Sequence, residues 1–157
     1  MNSPTLVIRP FRTEDSESVV SLASELGLSW WTLKDYRDEL NRRDSVMLVE
    51  ANDSKVVGFI VGRRVPGSES GDGQDAEIYN IGVDREFQRL GVGSRLIFGF
   101  IDRCRIAGVQ DIWLDVRSAN DGAIRFYRKF GFVEYTRRPD FYRNPPDDGI
   151  IMRLTLC

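Results

Sequence analysis

The sequence contains no histidine among its 157 residues. This absence excludes the Ser-His-Asp and Cys-His nucleophilic systems, zinc sites built with histidine, and histidine as a general base. Any acid–base chemistry in this chain therefore has to use carboxylates, tyrosine, lysine or cysteine.

Cysteine, long apolar runs and excess positive charge are also scarce or missing. The two cysteines are Cys104, which lies in a helical pattern, and Cys157. We expect them to be unpaired thiols in a reducing compartment such as the cytoplasm. No apolar run approaches the roughly 18–20 residues of a membrane helix, and the N-terminus does not resemble a signal peptide. The net charge of −2 argues against a nucleic-acid partner.

The length of 157 residues suits one domain with a substantial core, so we expect residues 1–157 to form a single domain. Apolar periodicity predicts strands that are interrupted by helices, which favours an α/β or α+β layer fold. Strands are predicted at 5–11, 45–51, 55–65, 76–83, 111–116, 132–138 and 149–154, helices at 13–26, 31–43, 92–104 and 120–130, and a polar loop at 66–75.

The segment IGVDREFQRLGVGSRLI (81–97) carries two glycines between a predicted strand and a predicted helix. One interpretation is a tight turn that needs positive φ. The other is an anion-binding site, because the first N–H groups of a helix are unpaired and glycine lets a phosphate approach them. The segment lacks the lysine of a P-loop. Leu96 stands where a dinucleotide-binding fingerprint has its third glycine.

Three stretches resemble the GNAT superfamily of N-acetyltransferases. Gln-Arg-Leu-Gly-Val-Gly (88–93) resembles the superfamily's motif A, and WLDVRSANDGAIRFYRKFGF (113–132) resembles its next strand and helix. The segment 137–154 is similar to the terminal hairpin of ribosomal-protein-alanine N-acetyltransferases and related protein N-terminal acetyltransferases. The resemblance implies the GNAT fold, an α/β (α+β) fold with a mixed central sheet of about seven strands flanked by helices. It also implies acetyl-CoA as co-substrate and no metal.

The resemblance further implies how acetyl-CoA is held. The strand before motif A diverges from the strand that follows the helix, and the pantetheine arm enters the gap, where it pairs with the main chain of Ile81, Gly82 and Val83. Asn120 corresponds to an asparagine that contacts CoA, although it also suits the N-cap of its helix. The amides of motif A hold the pyrophosphate; they belong to Arg89, Leu90, Gly91, Val92, Gly93 and Ser94.

Acetyl transfer to an amine requires a proton acceptor and a donor for the leaving thiolate. Tyr127 corresponds to the family's general acid; the alternative is a core aromatic. Two carboxylates are candidate bases. Alternation places Asp115 on the same strand face as Arg117, which makes a structural salt bridge the alternative. Asp115 is one methylene shorter than the family's glutamate, and Glu77 on the neighbouring strand is the second candidate.

The acceptor is expected to be a protein N-terminal α-amine. Its pKa of about 7.7–8.0 leaves roughly a tenth of it neutral at pH 7, against about 0.04% for lysine. Candidate substrate contacts are Trp31, which with Trp30 could wall the acceptor cleft, and Phe141 and Tyr142, which an extra residue and a proline displace from the family pattern. The alternatives are a small amine (an amino acid, polyamine or aminoglycoside) and a non-catalytic acyl-CoA-binding module. We expect a monomer or homodimer.

Overall fold

A computed structural model describes residues 5–28, 31–67 and 74–156 of the chain. Within these residues, strands and helices follow one another in the predicted order. The strands are β1 (Val7–Pro10), β2 (Ser45–Ala51), β3 (Val56–Pro66), β4 (Gln74–Val83), β5 (Val109–Arg117), β6 (Val133–Arg143) and β7 (Pro146–Thr155). The helices are α1 (Ser16–Glu25), α2 (Leu33–Leu40), α3 (Val92–Ile106) and α4 (Asp121–Lys129).

All seven strands join one sheet in the order β1-β2-β3-β4-β5-β7-β6. Every neighbouring pair is antiparallel except β4 and β5, which run parallel because α3 crosses between them. The predicted mixed sheet of about seven strands flanked by helices is therefore confirmed. The parallel pair lies at the centre of the sheet, where the connection from β4 to α3 carries the two glycines.

Each face of the sheet carries its own apolar core. Alternation along β3 sends Ile60 to one core and Phe59 to the other. The first core packs α3 and α4 against the sheet around Leu96 and Phe100, and the second packs α1 and α2 around Tyr36. The site described below opens onto both faces of the sheet.

The ends of the helices follow from local sequence. Thr32 caps α2 by accepting a hydrogen bond from the Asp35 amide, while Asp35 accepts one from the Thr32 amide. After α3, Gly108 adopts φ of 79°, the left-handed conformation that ends many helices. Cys104 lies in α3 and is fully buried, which agrees with its place in the apolar stripe.

The terminal hairpin is longer than its apolar pattern predicts. β6 continues to Arg143 and β7 begins at Pro146, so Phe141 and Tyr142 lie within a strand instead of a loop. The pairing survives because a register shift between Arg138 and Tyr142 accommodates the extra residues.

Trp30, Cys157 and most of the predicted polar loop at 66–75 lie outside the described residues. In the part of the chain that the structure describes, no helix has the length and apolar character needed to span a membrane.

Candidate active site

A cleft of about 1220 Å³ opens where the central parallel strands separate. β4 and β5 pair from residues 74 and 109 up to Ile78 and Leu114, where their pairing ends. β4 then continues along β3 to Val83, while β5 continues along β7 to Arg117. Tyr79 is an extra residue of β4 between two positions paired with β3, and such a bulge bends and twists its strand. The two strands therefore diverge beyond Ile78 and Leu114, as the family resemblance implies.

One wall of the gap is main chain from the second half of β4. Ile81, Gly82 and Val83 line the cleft, and their opposite edge is already paired with β3. An unpaired strand edge offers a row of N–H and C=O groups to any extended chain that enters. These three residues can therefore receive an amide-containing ligand without any requirement on their side chains.

The glycine turn forms the next part of the wall. Arg89 and Gly91 both adopt positive φ, 66° and 82°, so the chain makes two left-handed steps before α3 begins. At this turn the Arg95 amide donates an intrahelical hydrogen bond to the Gly91 carbonyl. The amides of Val92, Gly93 and Ser94 have no acceptor within the helix, and these residues line the cleft at the positive end of a 15-residue helix. This geometry suits an anion.

Most of the residues predicted to hold the pyrophosphate line the cleft. They are Arg89, Gly91, Val92, Gly93 and Ser94. Leu90 does not line it; its side chain is exposed, and its carbonyl accepts a hydrogen bond from Arg95. An added Cβ on Gly93 would lie 3.3 Å from the ring of Phe126, so a side chain there would crowd α4.

Arg95 anchors the turn, a role that the sequence pattern does not reveal. Its Nε and Nη2 donate to the two carboxylate oxygens of Glu50 at 2.6 and 2.9 Å, and its Nη1 donates to the Leu90 carbonyl at 3.1 Å. Glu50 lies in β2, 45 residues earlier, and is buried. The bidentate pair ties the loop before α3 to the second strand of the sheet.

The opposite wall is α4, which begins at Asn120. The side-chain oxygen of Asn120 accepts a hydrogen bond from the Ala123 amide, so Asn120 is the N-cap, and it also lines the cleft. The two interpretations of Asn120 are therefore compatible.

Tyr127 lies about two turns beyond Asn120 along α4, at the boundary between cleft and core. It lines the cleft although it is only 9% exposed, and its ring contacts those of Phe126 and Phe132. Burial raises the pKa of its phenol to about 12. The phenol is therefore protonated at neutral pH and is a proton donor at the edge of the cleft.

Asp115 faces the cleft from β5, on the other side of the gap. As predicted, Leu114 and Val116 are buried in the first core, while Asp115 lies on the opposite face. Removal from water raises the pKa of its carboxyl, the charge of Arg138 lowers it, and that of Glu77 raises it. A carboxylate with a raised pKa is a stronger base than an ordinary aspartate.

Arg117 does not pair with Asp115 in the way that their shared strand face suggests. Its guanidinium donates to the carbonyls of Pro145 and Asn144, at 2.7 and 3.1 Å, and lies 4.2 Å from the ring centre of Tyr142. The long terminal hairpin brings these carbonyls within reach. Asp115 is left open to the cleft.

Glu77 lies outside the cleft wall. In the register of the sheet it stands beside Trp113 of β5 and Arg63 of β3. Its charge acts on the neighbouring Tyr79, whose phenol has a pKa raised to about 12, mainly by burial and further by Glu77. Tyr79 lines the cleft. The sequence analysis missed Tyr79, because no local signal marks a strand bulge.

Aromatic side chains surround the open mouth of the cleft near Asp115. Phe141 and Tyr142 line it, with their ring centres 5.0 Å apart. Trp31 does not line it, but its ring lies 6.1 Å from that of Tyr79, which does. The predicted substrate residues thus lie around the mouth. Phe141 and Tyr142 line it directly, and Trp31 is next to it because its ring contacts that of Tyr79.

Across residues 5–28, 31–67 and 74–156, no three cysteine, aspartate or glutamate side chains are grouped so that they could hold a metal ion.

Comparison with known proteins gives a consistent result. Residues 16–132 match the Acetyltransferase (GNAT) family. The [ribosomal protein bS18]-alanine N-acetyltransferase of Salmonella typhimurium is 40% identical over 84 residues, which cover 52% of this chain and 57% of that protein. The protein of the same description from Haemophilus influenzae is 28% identical over 156 residues, 96% of this chain and 99% of that protein.

A solved structure extends the likeness to the whole fold. The ribosomal-protein-S18-alanine N-acetyltransferase from Escherichia coli aligns with a TM-score of 0.82 and 26% identity, over 96% of this chain and 94% of that chain. The similarity therefore includes the terminal hairpin, which the family match at residues 16–132 does not reach.

Proposed function

This chain belongs to the GNAT family of acetyltransferases, and we propose that it transfers the acetyl group of acetyl-CoA to the α-amine at the N-terminus of a protein. The observation that carries the proposal is the cleft between β4 and β5, which opens onto both faces of the sheet. Leu114 and Val116 line it from the face of α3 and α4, while Asp115 and Arg117 line it from the other face. Donor and acceptor can thus approach one point from opposite faces.

The donor side suits the parts of acetyl-CoA. The pyrophosphate would bind the amides of the glycine turn, at the positive end of α3. The amide groups of the pantetheine arm would pair with the free edge of β4 at residues 81–83. Such an arrangement would direct the thioester towards the end of the gap, where Tyr127 and Asp115 line the cleft.

The chemistry needs two proton transfers besides the attack. The neutral amine attacks the thioester carbonyl carbon, the C–N bond forms and the C–S bond breaks. Asp115, directly or through a water molecule, accepts the proton that the amine loses, and Tyr127 gives its proton to the departing thiolate. Glu77 remains the second candidate for the base, acting from the neighbouring strand. The products are an N-acetylated chain and free CoA.

An α-amine fits this machinery better than a lysine side chain. Even with its raised pKa, a carboxylate is a weak base for an ammonium group near pKa 10.4, whereas an α-amine near 7.7–8.0 is already partly neutral at pH 7. The names of the relatives from Salmonella typhimurium and Haemophilus influenzae agree with this choice.

The test is a measurement of CoA thiol release with a panel of acceptors. The panel contains a peptide with N-terminal alanine, the same peptide blocked at its N-terminus and carrying an internal lysine, free alanine, and a polyamine. We expect release only with the free peptide N-terminus, with the acetyl group placed there by mass spectrometry. Faster release with alanine or the polyamine would replace the proposal with a small-amine enzyme. Acetyl-CoA binding without release on any acceptor would indicate a binding module.

Tyr127→Phe provides the internal control, because it keeps the ring and deletes only the hydroxyl. We expect kcat to fall on the order of 10²-fold, the scale of one positioned proton donor, while acetyl-CoA affinity and the melting temperature change little. A variant with full activity would exclude Tyr127 as the general acid without affecting the choice of acceptor.

A further inference from the structure

Two arginines, Arg117 and Arg138, stand near the mouth of the cleft in a protein whose net charge is −2. Two rows of residues, each crossing β5, β7 and β6, lie next to each other on the face of the sheet that carries Asp115. The first row is Asp115, Ile151 and Thr136; the second, two residues further along β5, is Arg117, Gly149 and Arg138. Residues opposite one another on neighbouring strands share a face, so both arginines stand on the same side of the sheet as Asp115.

Aromatic rings hold these two arginines at the mouth. Phe141 lies over Gly149, where an added Cβ would come within 3.0–3.1 Å of its ring atoms, so the ring fills the space between the arginines. The guanidinium of Arg138 lies 5.5 Å from the ring centre of Phe141, and that of Arg117 lies 4.2 Å from that of Tyr142. Stacking on a ring orients a guanidinium and leaves its charge in place.

Two nearby carboxylates hydrogen-bond to groups other than these arginines, although the charge of Arg117 still lowers the pKa of Asp147. Asp147 accepts hydrogen bonds from the Ser118 hydroxyl and the Ala119 amide. Asp148 pairs with Arg137 at 3.4 Å and accepts a hydrogen bond from the Asp140 amide.

In the part of the chain that the structure describes, neither arginine forms an ion pair with a carboxylate. Arg117 donates to neutral carbonyls. Among the described residues, no carboxylate lies within ion-pair distance of Arg138, which is exposed. The charge of Arg138 still reaches Asp115, whose pKa it lowers.

We propose that the acceptor carries an acidic side chain at its second or third residue, and that Arg138, with Arg117 beside it, binds this carboxylate at the mouth of the cleft. The distances allow it. Two strand residues separate the row of Asp115 from that of the arginines, about 7 Å, and two residues of an extended peptide cover a similar length. An amine at Asp115 would thus place the following side chains near Arg138. The proposal rests on the function proposed above and names its class of substrate.

The test compares three peptides that start with alanine and differ only by glutamate, glutamine or arginine at residues two and three. We expect kcat/KM to rank them in that order, with glutamate and arginine differing on the order of tenfold, the scale of one charge-assisted contact. The difference should shrink as salt is added, because the arginines are open to solvent.

Arg138→Glu should reverse the ranking, and Arg138→Gln should flatten it. The matched control is Arg143→Glu, which makes the same change of charge on the same strand; Arg143 neighbours Tyr142 and so points away from its face. The control should keep the wild-type ranking. Melting temperature and acetyl-CoA affinity, measured on each variant, identify any loss of folding.

The outcomes separate the two proposals. If wild type acetylates no peptide, the proposed function is wrong and this inference falls with it. If wild type acetylates all three peptides equally, or if the ranking survives Arg138→Glu, the acidic acceptor is refuted while N-terminal acetylation stands. Loss of the ranking in the Arg143→Glu control would also refute the acidic acceptor, because the preference would then come from the overall positive charge of the strand and not from Arg138.

Discussion

Replacing Arg95 with glutamine should weaken acetyl-CoA binding through the shape of the glycine turn. Arg95 fixes the Leu90 carbonyl, which directly precedes Gly91, and it neutralises the buried Glu50. The substitution removes both interactions. The amides that would bind the pyrophosphate belong to the same turn, so their orientation should become less uniform.

The structure sets the size of the effect. The side chain of Glu50 is 1% exposed and that of Arg95 is 46% exposed. Breaking a fully buried pair costs about 3–5 kcal/mol and an exposed pair contributes about 0–1 kcal/mol. For this half-open pair we expect a loss of roughly 2 kcal/mol in the free energy of unfolding. We expect the Kd of acetyl-CoA to rise on the order of tenfold, because part of one charge-assisted hydrogen bond is lost from the turn.

The decisive assay compares two donors, acetyl-CoA and S-acetylpantetheine, which lacks the pyrophosphate. Arg95→Gln should lower kcat/KM for acetyl-CoA and leave that for S-acetylpantetheine nearly unchanged. The control is Arg103→Gln on the same helix, where the guanidinium donates to the Gly99 carbonyl of its own helix. The double variant Glu50→Gln with Arg95→Gln should regain stability, because it removes the unpaired buried charge. Equal losses with both donors would refute the reasoning.

Two further predictions concern the turn and the base. Gly91→Ala should raise the Kd of acetyl-CoA on the order of tenfold by calorimetry, because φ is 82° and the new Cβ would lie 2.9 Å from Arg95 Nη1. The control Gly122→Ala in α4 should bind normally, because the nearest atom to its new Cβ is Asn120 Oδ1 at 4.0 Å, an ordinary contact. Normal binding by Gly91→Ala would contradict the anion site. Asp115→Asn should lower kcat on the order of 10²-fold at neutral pH, with recovery at high pH where the amine loses its own proton. Because the folded-state pKa of Asp115 is raised, its ionisation destabilises the fold as pH rises through that pKa. Asp115→Asn should therefore melt higher than wild type at neutral pH, and the difference should vanish in acid; a melting temperature that falls at neutral pH would contradict this.

Much of the fold follows from local sequence. Apolar periodicity predicted the order of strands and helices, and motif resemblance predicted the family, which the match over residues 16–132 and the aligned structure confirm. These predictions succeed because alternation and helical spacing are properties of consecutive residues. The glycine turn was predictable for the same reason, since the left-handed conformation of Gly91 is a local requirement.

Strand lengths were less predictable. In the terminal hairpin, β6 is exposed along almost its whole length, so no apolar alternation marks its end. Pairing with β7 holds it as a strand through Arg143, and that pairing includes a register shift. Apolar alternation marks a strand only where one of its faces is buried, and an edge strand such as β6 buries too few side chains to show it.

The contacts between side chains at the candidate site also depended on tertiary structure. Alternation placed Asp115 on the open face of its strand, but the course of the hairpin decided that Arg117 binds carbonyls instead of Asp115. The bulge at Tyr79 and the pairing of Arg95 with Glu50 had no sequence signal. Each depends on partners brought together across the sheet from distant parts of the chain.

The sequence by itself therefore determined the elements, the family and the residues of the glycine turn, because each is encoded within a short segment. The tertiary structure alone decided where β4 and β5 part and which charges meet at the cleft. Those features arise when register brings together residues such as Arg117 and Arg138, and register is fixed by the packing of whole strands and helices.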